Sequence, residues 1–493
     1  MLMTNRWQIV LCGVMGLVPT VLAADSTRRP NVVFILTDNQ SAWTLGCYGN
    51  RDIRTPHIDR LASEGIRFDR AFACNAVCSP ARATYLTGLI PSQHGVHSYL
   101  HADPKDPYTL EEFRTLPEIM HEAGYVCGLT GKWHLGNELR PHDGFTYWVT
   151  KLGGHTSTFY NADVIENGVI RKEPAYLTEF WTRHAVRFIE QNKDQPFFLY
   201  LAYNGPYGLG GWLDEPARNR HASYYADKEL PCYPREPVHE WLGGNRRFVG
   251  NINAMRRYSA EVSGVDDGVG EVMATLERLG LDENTLVVYA GDQGLAGGHH
   301  GWWGMADHGR PFQTFDAGLH IPLIWRLPKR IPARSSSAIL VSNYDFMTTL
   351  LSFLGLADRQ AKSPASPGRN YSEVLQGRQV SWDHAVFYDY EHSRMVRTDR
   401  WKLTRRFPEG PDELYDLGTD PGEGQNLFDK PEQAEIQRQL EQRLDAFFER
   451  YADPKYDLWK GGTSRAPLLT MGKPAASQPA GAERRPRSAG RGA

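Results

Sequence analysis

Three short runs constrain the fold of this chain more than any other feature: "NVVFILTDNQ" from Asn31, "PFFLYLAYNGPY" from Pro196 and "TLVVYAGDQG" from Thr285. Each is a continuous stretch of β-branched and aromatic residues that ends abruptly in polar ones. A strand with one wet face alternates apolar and polar positions. An unbroken apolar run therefore reads as a strand buried on both faces, as in parallel sheets covered by helices. Between the runs lie helical periodicities, the clearest being Val262, Val265, Val269, Val272 and Leu276, stopped at Gly280. The alternation predicts an α/β fold with a large, mostly parallel sheet sandwiched by helices. From about His384 the pattern changes to short alternating strands, "HAVFYDYEHSRMVRTDRWKLTRR", followed by the helical stretch "EQAEIQRQLEQRLDAFFERYA". Together these predict a smaller C-terminal α+β subdomain built on an antiparallel sheet.

Length and composition set outer limits. A chain of 493 residues, 41% hydrophobic and 23% charged, has ample material for a sizeable core and for two or three units. A net charge of -3 favours neither nucleic acid nor an anionic membrane as a bulk partner, and no nucleic-acid partner is expected. Residues 1–24 combine Arg6, an apolar run from Ile9 to Leu22 and a small-residue end at Ala23 and Ala24, the pattern of a secretory signal. The expected product is a periplasmic or secreted protein without stable membrane insertion. The expected divisions are a catalytic domain over 29–375, a C-terminal subdomain over 376–465 and a disordered, Pro-, Gly- and Arg-rich tail over 466–493. Five cysteines follow the signal, Cys47, Cys74, Cys78, Cys127 and Cys232. Their irregular spacing and odd number do not form a disulfide framework.

Ligands in open α/β sheets bind beyond the carboxyl ends of the strands. Asp38 and Asn39 close one run, and Asp292 and Gln293 close another. Two such acid–carboxamide pairs can supply hard oxygen ligands for calcium or magnesium. Near them in sequence stands "VCSPARATYLTG", in which Cys78 is followed by Pro80 and Arg82 and then by Leu86, Thr87 and Gly88.

That motif resembles the signature of the type I sulfatases, members of the alkaline-phosphatase-like superfamily. The resemblance extends through "TPHIDRLASEGIRFDRAF", "GLTGKWHLG", "GDQG" and "DELYDLGTDPGEGQNL", nearly the whole chain after the signal. It implies that a separate maturation enzyme converts Cys78 to formylglycine. The hydrated aldehyde would then offer one hydroxyl to attack sulfur and a second whose deprotonation ejects sulfate. It further implies that Asp38, Asn39, Asp292 and Gln293 hold a divalent cation, calcium with magnesium as the alternative. Arg82 would fix the modified residue, Lys132 would bind the sulfate and His134 would serve as the base. The implied substrate is a sulfated small molecule or glycan, with a carbohydrate sulfate favoured. A phosphonate or phosphate ester hydrolase of the same superfamily and a non-catalytic sulfated-glycan binder are the competing readings.

The chain departs from the family pattern in three places. Asp38 is followed by Asn39 where many members have a second aspartate. Tyr207 follows Pro206 where a sulfate-contacting histidine is common, and Met305 stands where a lysine is common. A phenol, with an ordinary pKa of about 10, is a weak substitute for an imidazole as proton donor. His308, together with Arg310, is expected to reach into the space so left and to act there as the general acid, with Tyr207 and Arg310 contacting substrate. Trp212, Trp302 and Trp303 are candidates to stack on sugar rings, and His94 and His97 to line the cleft.

Overall fold

The computed structural model describes residues 29–101, 103 and 106–469. The signal over 1–24 and the tail from 470 onward lie outside the described residues. All three apolar runs are strands, Asn31–Asp38, Phe197–Pro206 and Thr285–Gly291, buried along their whole length. They are neighbours in a ten-stranded sheet, with Asn31–Asp38 in the centre and the other two beside it, both parallel to it. Val126–Gly131 and Phe145–Lys151 extend the parallel region on one side, and Leu323–Arg326 adds an antiparallel strand on the other. A side chain on such a strand meets apolar partners above and below, so polar residues such as Asn31, Thr37, Asn204 and Thr285 are confined to the positions near its ends.

The helical periodicity belongs to Ile252–Arg278, which begins ten positions before the apolar pattern because Ala254, Met255 and Tyr258 of its first turns are also buried in the core. Asn251 caps it, accepting from the N–H groups of Asn253 at 3.0 Å and Ala254 at 3.2 Å. Val262, Val265, Val269, Val272 and Leu276 are each 0% exposed. Burial of each such side chain is worth about 1.5–3 kcal/mol, which fixes the helix against the sheet. Gly280, with φ +67, takes the left-handed conformation that lets the chain turn away.

Strands Ala385–Tyr390, Ser393–Thr398, Trp401–Arg406 and Glu413–Asp416 form the expected antiparallel sheet, and helix Ala434–Tyr451 covers it. Val386, Tyr388, Tyr390 and Met395 join the main core. This second sheet is therefore packed onto the first unit. The five cysteines among the described residues are free thiols. No helix among the described residues is long and apolar enough to cross a membrane.

Candidate active site

Strand register assembles the site. Asp38 pairs with Pro206, Thr37 with Gly291, and Gly131 with Ala202. Asp38, Asp292 and Lys132 therefore leave the sheet at one level. Above them sits the ten-residue helix Cys78–Thr87, on which Cys78 and Arg82, four residues apart, share a face. The helix ends at Gly88 with φ +69.

All of these groups are buried. Arg82 spans the cluster: one guanidinium nitrogen donates to Asp292 Oδ2 at 2.8 Å and lies 3.6 Å from Asp38 Oδ2, while another donates to the Lys132 carbonyl at 2.7 Å. Lys132 Nζ donates to Asp38 Oδ2. Two carboxylates and two cations thus balance in a space closed to water. Burial, reinforced by Asp38, pushes the Asp292 carboxyl up to about 7. Burial also pushes the Cys78 thiol up to about 12, with Lys132 and Arg82 pulling against Asp38 and Asp292. A helix N-terminus and two cations ordinarily favour a thiolate. Here burial outweighs them, and an unmodified Cys78 is a neutral thiol with poor nucleophilicity.

His134, with φ +60, is fully buried, and Leu100 O lies 3.0 Å from its Nε2. That contact fixes the proton on Nε2 and leaves Nδ1, which has no hydrogen-bond partner, as an open acceptor. Burial, followed by Lys132, holds the imidazole well below its ordinary pKa and therefore neutral.

The donor set suits a hard cation. Gln293 donates its amide to Asp38 Oδ1 and to Met305 Sδ, both at 3.2 Å, while its carbonyl oxygen is buried without a partner. With the two carboxylates, that orphaned oxygen is the chemistry such an ion requires. Asn39 is differently employed: its amide donates to Gly294 O at 2.6 Å and its oxygen accepts from Gly208 N–H at 2.9 Å, tying two loops together. A cation would have to share that oxygen. A second group, His57, Asp266 and Asp267, also comes within ligating range. Its acids are committed elsewhere, Asp266 to the N–H groups of His57 and Ile58, and Asp267 to Arg220 and His221.

Outside this cluster opens a cleft of about 1680 Å³. Tyr207, Met305, His308 and Arg310 line it, and so do His155 and Trp241. His308 Nδ1 lies 3.0 Å from Asp307 Oδ1, and Arg310 donates to the carbonyls of Asp307 and Gly309, both at 2.7 Å. These two residues shape the cleft wall, whereas Tyr207 is held against the buried charges, its N–H on Asp38 O at 3.1 Å. Trp302 and Trp303 are 0% exposed and donate to Met305 O and Gly208 O, so they brace the wall instead of presenting a sugar platform. Trp212 borders the cleft but is also buried, its edge against Phe159. His94 and His97 are buried too, within range of Thr84 and of the Tyr456 carbonyl respectively.

Sequence reasoning missed His155 and Lys151. Both come from "TKLGGHTS", where a strand runs into two glycines, a pattern that marks a close backbone approach. A Cβ on Gly154 would collide with the His134 ring, so only glycine lets the two histidines come together.

Residues 30–356 match the Sulfatase family model, and residues 298–450 match that of the N-sulphoglucosamine sulphohydrolase C-terminal region. The N-acetylglucosamine-6-O-sulfatase of Bacteroides thetaiotaomicron is 29% identical, over 87% of this chain and 88% of its own. The dog N-acetylgalactosamine-6-sulfatase is 30% identical, over 74% and 69%. Among solved structures, BT4656 in complex with its substrate D-glucosamine-2-N,6-O-disulfate superimposes with a TM-score of 0.70 at 28% identity, over 86% of this chain and 98% of that one. The chain thus belongs to the sulfatase family, hydrolases of sulfuric esters on the alkaline-phosphatase-like fold.

Proposed function

We propose that this protein is an exported sulfatase that removes sulfate from carbohydrate, with a formylglycine made from Cys78 by a maturation enzyme and a calcium ion as its resident groups. The observation that carries the reading is the burial of Cys78 among Arg82, Lys132, Asp38 and Asp292, where an unmodified thiol stays neutral. Formylglycine, when present, supplies a hydrated aldehyde as nucleophile, and the cation supplies charge at the sulfate oxygens.

This chain's own residues do the rest. Asp38, Asp292 and Gln293, with a share of Asn39, would hold the ion. Arg82 orients residue 78, and Lys132, already directed at Asp38 Oδ2, presents its charge to the sulfate. His134 takes a proton on Nδ1, the atom its surroundings leave open. The cleft supports a sugar substrate because its volume far exceeds what a sulfate group needs, and because Trp241 offers a partly exposed aromatic face. His308 and Arg310 face the sugar from the wall. Relatives named for amino-sugar 6-sulfates support the same class. Export rests on the sequence of residues 1–24.

The test is mass spectrometry of the peptide carrying Cys78 from the native producer, with turnover of N-acetylglucosamine 6-sulfate and sulfated oligosaccharides. Formylglycine together with desulfation is expected. An unmodified cysteine in an active enzyme refutes the nucleophile, and no release of sulfate from any saccharide refutes the substrate class.

A further inference from the structure

Three features around Tyr207 have no part in the mechanism above. First, Tyr207 adopts φ +39, a conformation a bulky residue rarely takes, and its N–H is held on Asp38 O at 3.1 Å. That contact turns the ring toward the charged cluster, with Lys132 Nζ 5.5 Å from the ring centre. Second, the Tyr207 hydroxyl lies 3.0 Å from His155 Nδ1. Third, the loop that carries His155 is clamped by Lys151, whose buried Nζ donates to the carbonyls of Leu152 at 3.0 Å, Gly153 at 3.3 Å and His155 at 2.6 Å. All three N–H bonds of that ammonium are used locally. The His155 ring stands edge-on to Tyr99 with centroids 4.8 Å apart, and 6.2 Å from the His134 ring. Such an arrangement is costly to maintain for a tyrosine that merely fills space.

We propose that Tyr207 is the proton donor to the leaving-group oxygen, and that His155 is its positioning residue. The inference rests on the sulfatase reading. With its proton on Nδ1, a neutral His155 donates to the phenol oxygen, which leaves the phenolic O–H free to aim into the cleft. As the bond between sulfur and the ester oxygen breaks, its electron pair stays on that oxygen. The phenolic proton moves there and completes the alcohol. The phenolate that remains keeps the Nδ1–H hydrogen bond, which stabilises its charge, and regains a proton from cleft water. What drives the transfer is the basicity the ester oxygen gains as its bond to sulfur opens, when it takes on alkoxide character beside the phenolic O–H. The burial of His155 and the neighbouring Lys132 and Lys151 cations hold the imidazole below its ordinary pKa, as a neutral donor requires. His308 is more exposed than Tyr207, with 22% of its side chain accessible, and stands beside Asp307.

The experiment compares two substrates on the matured, calcium-loaded enzyme. 4-Nitrophenyl sulfate releases a stable phenolate and needs little protonation, whereas N-acetylglucosamine 6-sulfate releases an alkoxide. Tyr207→Phe keeps the ring and its cation contact. It is expected to lower kcat on the sugar sulfate by about 10²–10⁴-fold, the usual worth of a general acid. That loss should exceed the loss on the aryl sulfate by at least about 30-fold. His155→Ala should follow the same pattern in kcat with KM little altered, and His155→Gln, which can still donate to the phenol, should recover part of it. Equal losses on both substrates in Tyr207→Phe, or no loss on either, overturn the assignment. A leaving-group-dependent loss seen only in His308→Ala also overturns it. Wild-type enzyme inert on every sulfate ester would instead sink the sulfatase reading beneath it, so the two failures are distinguishable.

Discussion

Arg82 is the residue on which the two buried carboxylates depend, and substituting it tests the assembled site directly. Its planar fork reaches Asp292 Oδ2 at 2.8 Å and the Lys132 carbonyl at 2.7 Å at once. Arg82→Lys keeps the charge but has one ammonium for two acceptors that the guanidinium served from different nitrogens. A buried carbonyl left unpaired costs about 1–3 kcal/mol, so that is the expected loss. Arg82→Met removes the charge and leaves Asp38 and Asp292 sharing Lys132 alone. Breaking a buried pair in this way costs about 3–5 kcal/mol. Calcium discriminates between a local packing defect and a true charge deficit. A cation at the carboxylates replaces the lost positive charge, so the deficit of Arg82→Met should shrink in saturating calcium relative to the metal-free protein. Ligand at about 100 times Kd contributes about 2.7 kcal/mol on its own, and the variant should gain more than wild type. Urea denaturation midpoints in chelator and in calcium measure both effects. The reasoning fails if Arg82→Lys costs as much as Arg82→Met, or if the Arg82→Met deficit is the same with and without calcium.

Three further outcomes follow from Glu261, Trp303 and Trp241. Glu261 is buried in the long helix with the Tyr176 hydroxyl donating to it, and burial raises it to about 8. Between the unfolded value of about 4.3 and 8, the native state keeps a proton that the unfolded chain releases, so stability falls as pH rises. Glu261→Gln should remove a slope of up to about 1.4 kcal/mol per pH unit, and parallel urea midpoints for the two proteins from pH 5 to pH 8 would contradict this. Trp303→Phe strands the Gly208 carbonyl and should cost about 1–3 kcal/mol of stability. Trp241→Ala should instead raise KM for sulfated oligosaccharide with little effect on 4-nitrophenyl sulfate, and a reversal of these two phenotypes would refute the distinction between brace and platform.

What the sequence showed and what it hid divide along physical lines. The strands Asn31–Asp38, Phe197–Pro206 and Thr285–Gly291 were legible because burial on both faces leaves an unbroken apolar run, and register then brings their polar ends together. Asp38, Asp292, Lys132 and Arg82 were legible because each stands at a strand end or within a spaced motif. The roles of the tryptophans were not legible, since a buried Trp303 and a partly exposed Trp241 look alike without knowledge of which faces a loop turns inward. His155 escaped for a related reason. Its importance comes from a 3.0 Å contact with a residue 52 positions away, and no local pattern encodes that contact. His94 and His97 are buried against Thr84 of the Cys78 helix and the Tyr456 carbonyl, and which way a loop histidine turns cannot be read from its distance in sequence to Cys78.

The two substitutions at the site, Tyr207 and Met305, act together on its charge. Asp38 and Asp292 are matched by Arg82 and Lys132, and Lys151, the next buried cation, spends its donors on three carbonyls of its own loop. On the proposed reading, the sulfate would therefore be met by Lys132 and the cation without the lysine and histidine that the family pattern places at 305 and 207. Binding energy has to come from the sugar in the cleft instead, and small aryl sulfates should be held weakly. Met305→Lys tests this. Met305 Sδ accepts from the Gln293 amide N–H at 3.2 Å, so an ammonium of similar reach faces a donor and must turn that amide, whose free carbonyl oxygen is the one proposed to hold the cation. The added charge should lower KM for 4-nitrophenyl sulfate several-fold. By repulsion within the same pocket it should also weaken calcium binding, a coupling of the order of 1–3 kcal/mol for like charges held close in a buried site. If KM for the aryl sulfate and calcium affinity are both unchanged, the two positions are not linked through charge. If both move in the directions stated, the neutral residues at 207 and 305 are what makes the sugar, and not the sulfate, the principal anchor.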